Sequence, residues 1–563
     1  MMQTRAMRVS GPYLHIPVKA GDPLRTIRLS VGDEVVRAFE VELAVGAPDY
    51  WSFTDVTVWR GQEMVVTLDP QPANRDPEIR RRSAEHPLAA GALSVIEVGE
   101  ELKHAAELYR EALRPQFHFS TRRGWTNDPN GMVYHEGEYH LFFQLQPFSV
   151  TSAGDKSWGH AVSRDLVHWE ERPIALYADA EGSKWSGSSV VDSRNVSGLQ
   201  VGAEPPLLLF YTATGCSAHR PKAPEPDDYV QSIACSHDRG RTWETWAGNP
   251  FMHNVTPGNR DPWVFWHEPA QHWVMTLYVG QPESWSNNRN EARIYSSTNL
   301  REWCHESTVE GFFDCPILFS LPLDGDENDL RWIMHCADMK YRVGRFDGCA
   351  FTPETDLLVG QVGECAYAPQ LFNHAPDNRR IQIAWGRTTA PGMPFSQIMT
   401  FPCDLSLVAT DEGPRIKWTP VAEIKQLHTT VTRRAGVKLL AGAPLTELAR
   451  TKHGDLQVVI DLGAAVEVTI NVRGARIVCD VGQRRMTCGD FTAPLRLPER
   501  KWHLRVLVDR LSLEIFADGG LVYMPLGVVL PLDNDLISIE VRGGDARLDE
   551  MNCHELASIW PVA

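Results

Sequence analysis

Ser163-Arg164-Asp165-Leu166-Val167-His168-Trp169 returns as Ser236-His237-Asp238-Arg239-Gly240-Arg241-Thr242-Trp243 and again as Ser297-Thr298-Asn299-Leu300-Arg301-Glu302-Trp303. Each copy reads as a strand end, a turn built on Asp or Asn, and a Trp placed to pack at the start of the next strand. The Trp residues stand 74 and then 60 positions apart, and Phe346-Asp347-Gly348-Cys349-Ala350-Phe351 is a looser relative. Periods of this length in strand-like sequence mark propeller blades of about four strands each. Residues 116–415, at roughly 60 per blade, predict five blades.

On either side of this region, apolar and polar residues alternate with period two. Ile27-Arg28-Leu29-Ser30-Val31 and Ala38-Phe39-Glu40-Val41-Glu42-Leu43 flank a turn at Gly32-Asp33, which predicts a small β-sandwich-like unit over 1–85. The polar stretch from Pro70 to Pro87 reads as a linker. In 86–115 the spacing of Leu102, Ala105, Ala106, Leu108, Tyr109 and Leu113 predicts a helix over 100–113. From about 420 to 563 the strands resume, with Leu456-Gln457-Val458-Val459-Ile460, Leu504-Arg505-Val506-Leu507-Val508 and Leu513-Glu514-Ile515-Phe516. The expected fold is therefore all-β: a five-bladed propeller, a C-terminal β-sandwich and an additional N-terminal sandwich-like domain.

A net charge of −17 argues against nucleic acid or an anionic membrane surface as partner, and suits a neutral ligand. No run reaches the roughly 18 apolar residues of a membrane span. The first residues lack the apolar core of a signal peptide, so a cytoplasmic protein is expected, though a chain trimmed of its leader would read the same way. The 11 cysteines form no C-x-x-C pair, which predicts reduced thiols rather than a disulfide framework or a zinc site. His135 and His140, like His267 and His272, are five apart where a zinc-binding helix needs four, and Gly137 and Pro269 mark turns between them. Asp324-Gly325-Asp326-Glu327-Asn328-Asp329 lacks calcium-loop spacing.

Carboxylates remain. Asp128 stands before Pro129, Asp261 lies in Arg260-Asp261-Pro262, and Asp314 in Asp314-Cys315-Pro316. Glycosidic chemistry needs one carboxylate to attack the anomeric carbon and a second to protonate the leaving oxygen. In a propeller, the innermost strands of different blades converge on one axis, so acids far apart in sequence can meet there.

These segments resemble glycoside hydrolase family 32, the invertase, inulinase and levanase family. The likeness runs in order through Trp125-Thr126-Asn127-Asp128-Pro129-Asn130-Gly131, Tyr139 to Gln144, Trp158-Gly159-His160-Ala161, Trp185-Ser186-Gly187-Ser188, Arg260-Asp261-Pro262, Tyr367-Ala368-Pro369-Gln370 and Ala384-Trp385-Gly386. The resemblance implies cleavage of β-fructofuranosidic bonds in fructans or fructooligosaccharides, with retention, through a covalent fructosyl-enzyme intermediate. It implies Asp128 as nucleophile and Asp261 as transition-state stabiliser, with Trp125, Asn127, Gln144, Trp185, Ser186, Arg260 and Trp385 lining the fructosyl pocket. Neither metal nor organic cofactor is implied.

Three departures stand out. The family's acid/base is the Glu of a Glu-Cys-Pro motif, and Asp314 occupies that position, one methylene shorter. Either Asp314 still protonates the leaving oxygen, or Glu364 in Gly363-Glu364-Cys365 assists or replaces it, or the protein binds fructans without turnover. Transfer to a sugar hydroxyl, including cyclisation to a fructose dianhydride, is a further alternative to hydrolysis. The loop from Phe148 to Ser157 has no aromatic after Phe148, where relatives often place one against substrate, so sucrose is not assumed. The N-terminal unit, which many relatives lack, reads either as an added carbohydrate-binding surface or, the plainer expectation, as a unit that packs on the propeller or on a second copy in a homo-oligomer.

Overall fold

In the computed structural model, which describes residues 2–73, 77–152, 154–220, 228–256, 258–280 and 290–560, the repeats form one and the same turn. Asp165 Oδ1 accepts from the backbone N–H groups of Val167 (3.1 Å) and His168 (2.9 Å). Asp238 Oδ1 accepts from Arg241 (3.0 Å) and Thr242 (2.9 Å), and Asn299 Oδ1 from Arg301 (3.1 Å) and Glu302 (2.9 Å). Asp347 does the same for Cys349 (2.8 Å) and Ala350 (2.7 Å), so the looser copy belongs to the set. Trp169, Trp243 and Trp303 stand immediately before the outermost strand of their blades.

Blade 1 consists of Gly124–His135, Glu138–Gln146, Ser157–Ser163 and Glu170–Leu176, paired antiparallel in sequence order. The other four blades repeat this plan outward from innermost strands Lys184–Val191, Arg260–His267, Ile317–Leu323 and Ala366–Leu371. The ring closes where Phe395–Ser396 pairs in parallel with Gly124–Trp125. Asn373 ties the blades together at the far end of the axis. Its backbone bonds Met132 and Tyr134 of blade 1, while its side-chain amide donates to Ser189 O (2.8 Å) of blade 2 and Val264 O (2.9 Å) of blade 3. The histidine pairs are hairpin ends, His135 one pair from the turn and His267 opposite His272.

The C-terminal sandwich is two six-stranded sheets closing on a core that includes Trp502, Leu456, Ile470 and Ile539. A buried charge cluster joins it to the propeller. His118 Nδ1 lies 2.9 Å from Asp509 Oδ2 and its Nε2 lies 2.9 Å from Glu514 Oε1. Glu514 also accepts from Tyr523 OH (2.7 Å) and from the N–H of Phe401 (2.7 Å). Between two carboxylates, the imidazolium is held protonated up to about 9 despite burial, and Asp509 is pulled down to about 2.

Near the N-terminus the structure differs from expectation. The sandwich pairs a four-stranded sheet with a three-stranded one, and the last strand of the latter, Glu97–Gly99, lies beyond residue 85. Residues 100–113 do not form the expected helix. His104 (φ 57°) and Tyr109 (φ 62°) are left-handed and break the run, leaving only a 3-10 turn at Ala105–Glu107. Its apolar residues are used one by one: Tyr109 stacks on Trp560 at 4.3 Å, and Leu113 packs with Ala390 and Phe395. The α-helix among the described residues is Pro77–Glu85, within the stretch read as a linker, where Ser83 Oγ donates to Leu24 O (3.0 Å). Among the described residues no helix is long and apolar enough to cross a membrane.

Candidate active site

All five innermost strands begin at the same mouth of the propeller. In four of them pairing near that end is broken by a bulge, between Thr126 and Pro129, Trp185 and Gly187, Arg260 and Trp263, and Tyr367 and Gln370. Pro129 and Pro262 have no N–H to give the ladder, so regular pairing is interrupted beside them. A bulge leaves one residue unpaired and re-aims its side chain. Asp128, Ser186 and Asp261 lie in these breaks. In blade 4, Asp314 (φ 62°) and Cys315 (φ 41°) precede the strand in left-handed conformations, and Asp261 (φ 64°) shares that strain.

Asp128 closes a chain of hydrogen bonds. Trp125 Nε1 donates to Asn127 Oδ1 (3.1 Å), Asn127 Nδ2 to Gln144 Oε1 (3.0 Å), Gln144 Nε2 to Ser186 Oγ (2.9 Å), and Ser186 Oγ to Asp128 Oδ2 (2.6 Å). Asn127 Nδ2 also reaches Asp128 Oδ1 (3.2 Å). Burial first, and then the charge of Asp314, push the Asp128 carboxyl up to about 6, while Ser186 and Asn127 favour its anion.

A second group faces it. Arg260 Nε donates to Asp314 Oδ1 (2.6 Å), lies 3.5 Å from Asp261 Oδ2, and stacks 4.3 Å above the Tyr278 ring. The Asp261 backbone N–H is held by Thr212 Oγ1 (3.0 Å). Burial first, and then the charge of the neighbouring Asp314, raise Asp261 well above the usual carboxylate range against the pull of Arg260. Asp261 is thus crowded by a second carboxylate, whereas Asp128 stands among donors that favour its anion.

Cys315 links the two groups, a role its place in the sequence did not disclose. Its N–H donates to Asp261 Oδ2 (3.2 Å), and its Sγ stands 3.4 Å from the same oxygen and 3.9 Å from Asp128 Oδ2. Aromatic rings form the collar: Trp125 and Trp385 edge to face at 5.9 Å, Tyr367 against Trp385 at 6.0 Å, and Trp185 against Tyr229 at 5.4 Å. Gln397 Oε1, also unforeseen, fixes the Trp385 indole N–H at 3.0 Å. Glu364 is not part of the cluster. Its side chain is exposed, and its backbone carbonyl is what Arg387 grips, at 2.6 Å. Among the described residues, the donor atoms close enough to surround a cation belong to Asp261, Asp314 and Cys315, where the Arg260 guanidinium already supplies positive charge.

The model of the glycosyl hydrolases family 32 N-terminal domain matches residues 118–420, and that of the family's C-terminal domain matches 426–554. The chain is 35% identical over 511 residues to a levanase of Bacillus subtilis, covering 80% of this chain and 72% of the levanase. It is 29% identical over 538 residues to an extracellular exo-inulinase of Aspergillus niger, covering 80% and 96%. The solved exo-inulinase of Aspergillus awamori is similar with a TM-score of 0.71 at 27% identity, over 80% of this chain and 100% of that one. The chain belongs to glycosyl hydrolase family 32.

Proposed function

We propose that this glycoside hydrolase cleaves β-fructofuranosidic bonds of fructans or fructooligosaccharides with retention, Asp128 acting as nucleophile. The observation that carries the reading is the placing of Asp128, hydrogen-bonded by Ser186 and Asn127, beside Asp261 and Asp314, with Cys315 between them and Arg260 donating to Asp314 at 2.6 Å. Asp128 attacks the anomeric carbon as the bond to the leaving oxygen breaks. Asp314 gives that oxygen a proton, and Arg260, bonded to Asp314, balances the charge left behind. A water, losing its proton to the same carboxylate, then opens the fructosyl ester. Asp261 stays against the fructosyl hydroxyls. The levanase and exo-inulinase relatives support the substrate class.

The test is product identification with sucrose, inulin, levan and fructose dianhydrides. Free fructose supports hydrolysis; lengthened chains or cyclic dimers mean that a sugar hydroxyl intercepts the ester instead. No turnover of any of them overturns the enzyme reading. Asp314→Asn should retain its first step on an aryl fructoside with a good leaving group and lose turnover of natural sugars, whereas Glu364→Gln should behave as wild type. The reverse pattern would transfer the acid role to Glu364.

The 11 cysteines are free, which supports a reducing, cytoplasmic setting, although relatives are named extracellular. Self-association through the N-terminal sandwich is a further proposal, checked by light scattering of the intact chain.

A further inference from the structure

Trp125 is paired with Gln146, so the second strand of blade 1 ends at the mouth, and the connection from Gln146 to Ser157 forms part of its rim. This connection is seated in the N-terminal sandwich. Phe148 is buried in that unit's own apolar core and stacks on Phe39 with ring centroids 4.1 Å apart. Ser52 Oγ donates to Pro147 O (2.6 Å), the Glu42 N–H to Phe148 O (3.3 Å), and Ser149 Oγ to Glu42 Oε2 (2.9 Å). Gly154 (φ 90°) passes so close to the Gln146 amide that a Cβ there would collide with it and reach the Cβ of Glu40, a buried residue of the sandwich.

The other end of the connection is fastened to blade 2. The Lys156 N–H donates to Ser183 Oγ (2.6 Å), and its carbonyl accepts from the Lys184 N–H (2.9 Å), directly before Trp185 and Ser186. Asp155 Oδ2 accepts from the Ala218 N–H (2.6 Å). The Lys156 ammonium donates to Ser152 O (2.7 Å) and lies 3.5 Å from Gly154 O, both in the same rim segment. A cation thus sits on a rim segment held at one end by the N-terminal sandwich and at the other by blade 2, directly before Trp185 and Ser186.

We propose that the N-terminal sandwich is a specificity element: it fixes this rim segment so that Lys156 hydrogen-bonds the hydroxyls of the sugar on the leaving-group side. The unit is outside the matched family domains, which begin at residue 118. It supplies by anchoring what an aromatic in this loop would supply by contact. Lys156 is a specificity residue, and Phe148 positions it.

This rests on the fructosidase reading, so wild-type turnover is measured first; its absence overturns that reading and this one together. Given turnover of fructooligosaccharides, Lys156→Met should raise KM about tenfold, as loss of a charged hydrogen bond implies. It should leave kcat within about twofold and leave inhibition by free fructose, which reports the inner pocket, unchanged. Phe148→Ala should shift KM in the same direction, with Phe148→Leu restoring it. If Phe148→Ala does not fold, Lys156→Met, altering a partly exposed side chain, still decides. An unchanged KM in Lys156→Met, or fructose inhibition weakening in parallel with KM, overturns the proposal while the fructosidase reading stands.

Discussion

At Asp128 two requirements pull against each other. Attack needs the anion, while burial and the charge of Asp314 raise the carboxyl to about 6. The acid limb of kcat/KM should therefore fall near pH 6, as the free enzyme's nucleophile takes up its proton. Ser186→Ala removes a bond that favours the anion, so the limb should move to higher pH; a pH profile of the two proteins checks the direction. The same shift has a stability counterpart. With a folded pKa above the ordinary value of about 3.9, ionisation of Asp128 weakens the fold progressively from pH 4 to 6 and fully above that. Asp128→Asn should lose turnover by on the order of 10⁴-fold or more, yet unfold at a higher temperature than wild type at pH 7. That advantage should vanish near pH 4 in matched thermal scans. Asp128, Asp261 and Asp314 were legible in the sequence because a nearby Pro or a Cys-Pro step marks a place where strand pairing fails. Cys315 and Gln397 were not, because their roles arise only when separate blades meet.

The turn between the third and fourth strands of a blade is the element that made the propeller readable. Its logic is a side-chain oxygen accepting two backbone N–H groups, which Asp and Asn do equally well, as Asp165 and Asn299 demonstrate. Asp165→Ala should therefore cost about 1–2 kcal/mol in urea unfolding, and Asp165→Asn much less. Equal losses would mean that the charge, through His168 at 2.8 Å, matters more than the turn. Helical spacing misled in 100–113 for a physical reason. Leu102, Tyr109 and Leu113 are spaced as a helix would space them, but no common surface awaits that face; Tyr109 and Leu113 answer to Trp560 and Phe395, at different places on the body. Strand Glu97–Gly99 was invisible because three residues carry too little alternation to be told from a loop.

Across the whole molecule, the sandwiches hold opposite sides of the ring closure. The N-terminal one seats the rim of blade 1. The C-terminal one seats that of blade 5, where Thr388 Oγ1 donates to Leu511 O (3.0 Å). The joint at His118 sets the pH range of the second contact. Its stabilisation is complete below the unfolded histidine value of about 6.5 and is lost as pH rises through about 9. The Asp509 share is complete above about 3.9 and lost as pH falls through about 2. Thermal midpoints should therefore decline from pH 7 toward 10, and His118→Ala, which removes the cation between two buried carboxylates, should cost about 3–5 kcal/mol at neutral pH and flatten that decline. At the end of the axis opposite the mouth, Asn373 spans from blade 5 to backbone carbonyls of blades 2 and 3. One amide therefore laces blades 2, 3 and 5 together at that end, so the ring is cross-tied there without any contribution from either sandwich.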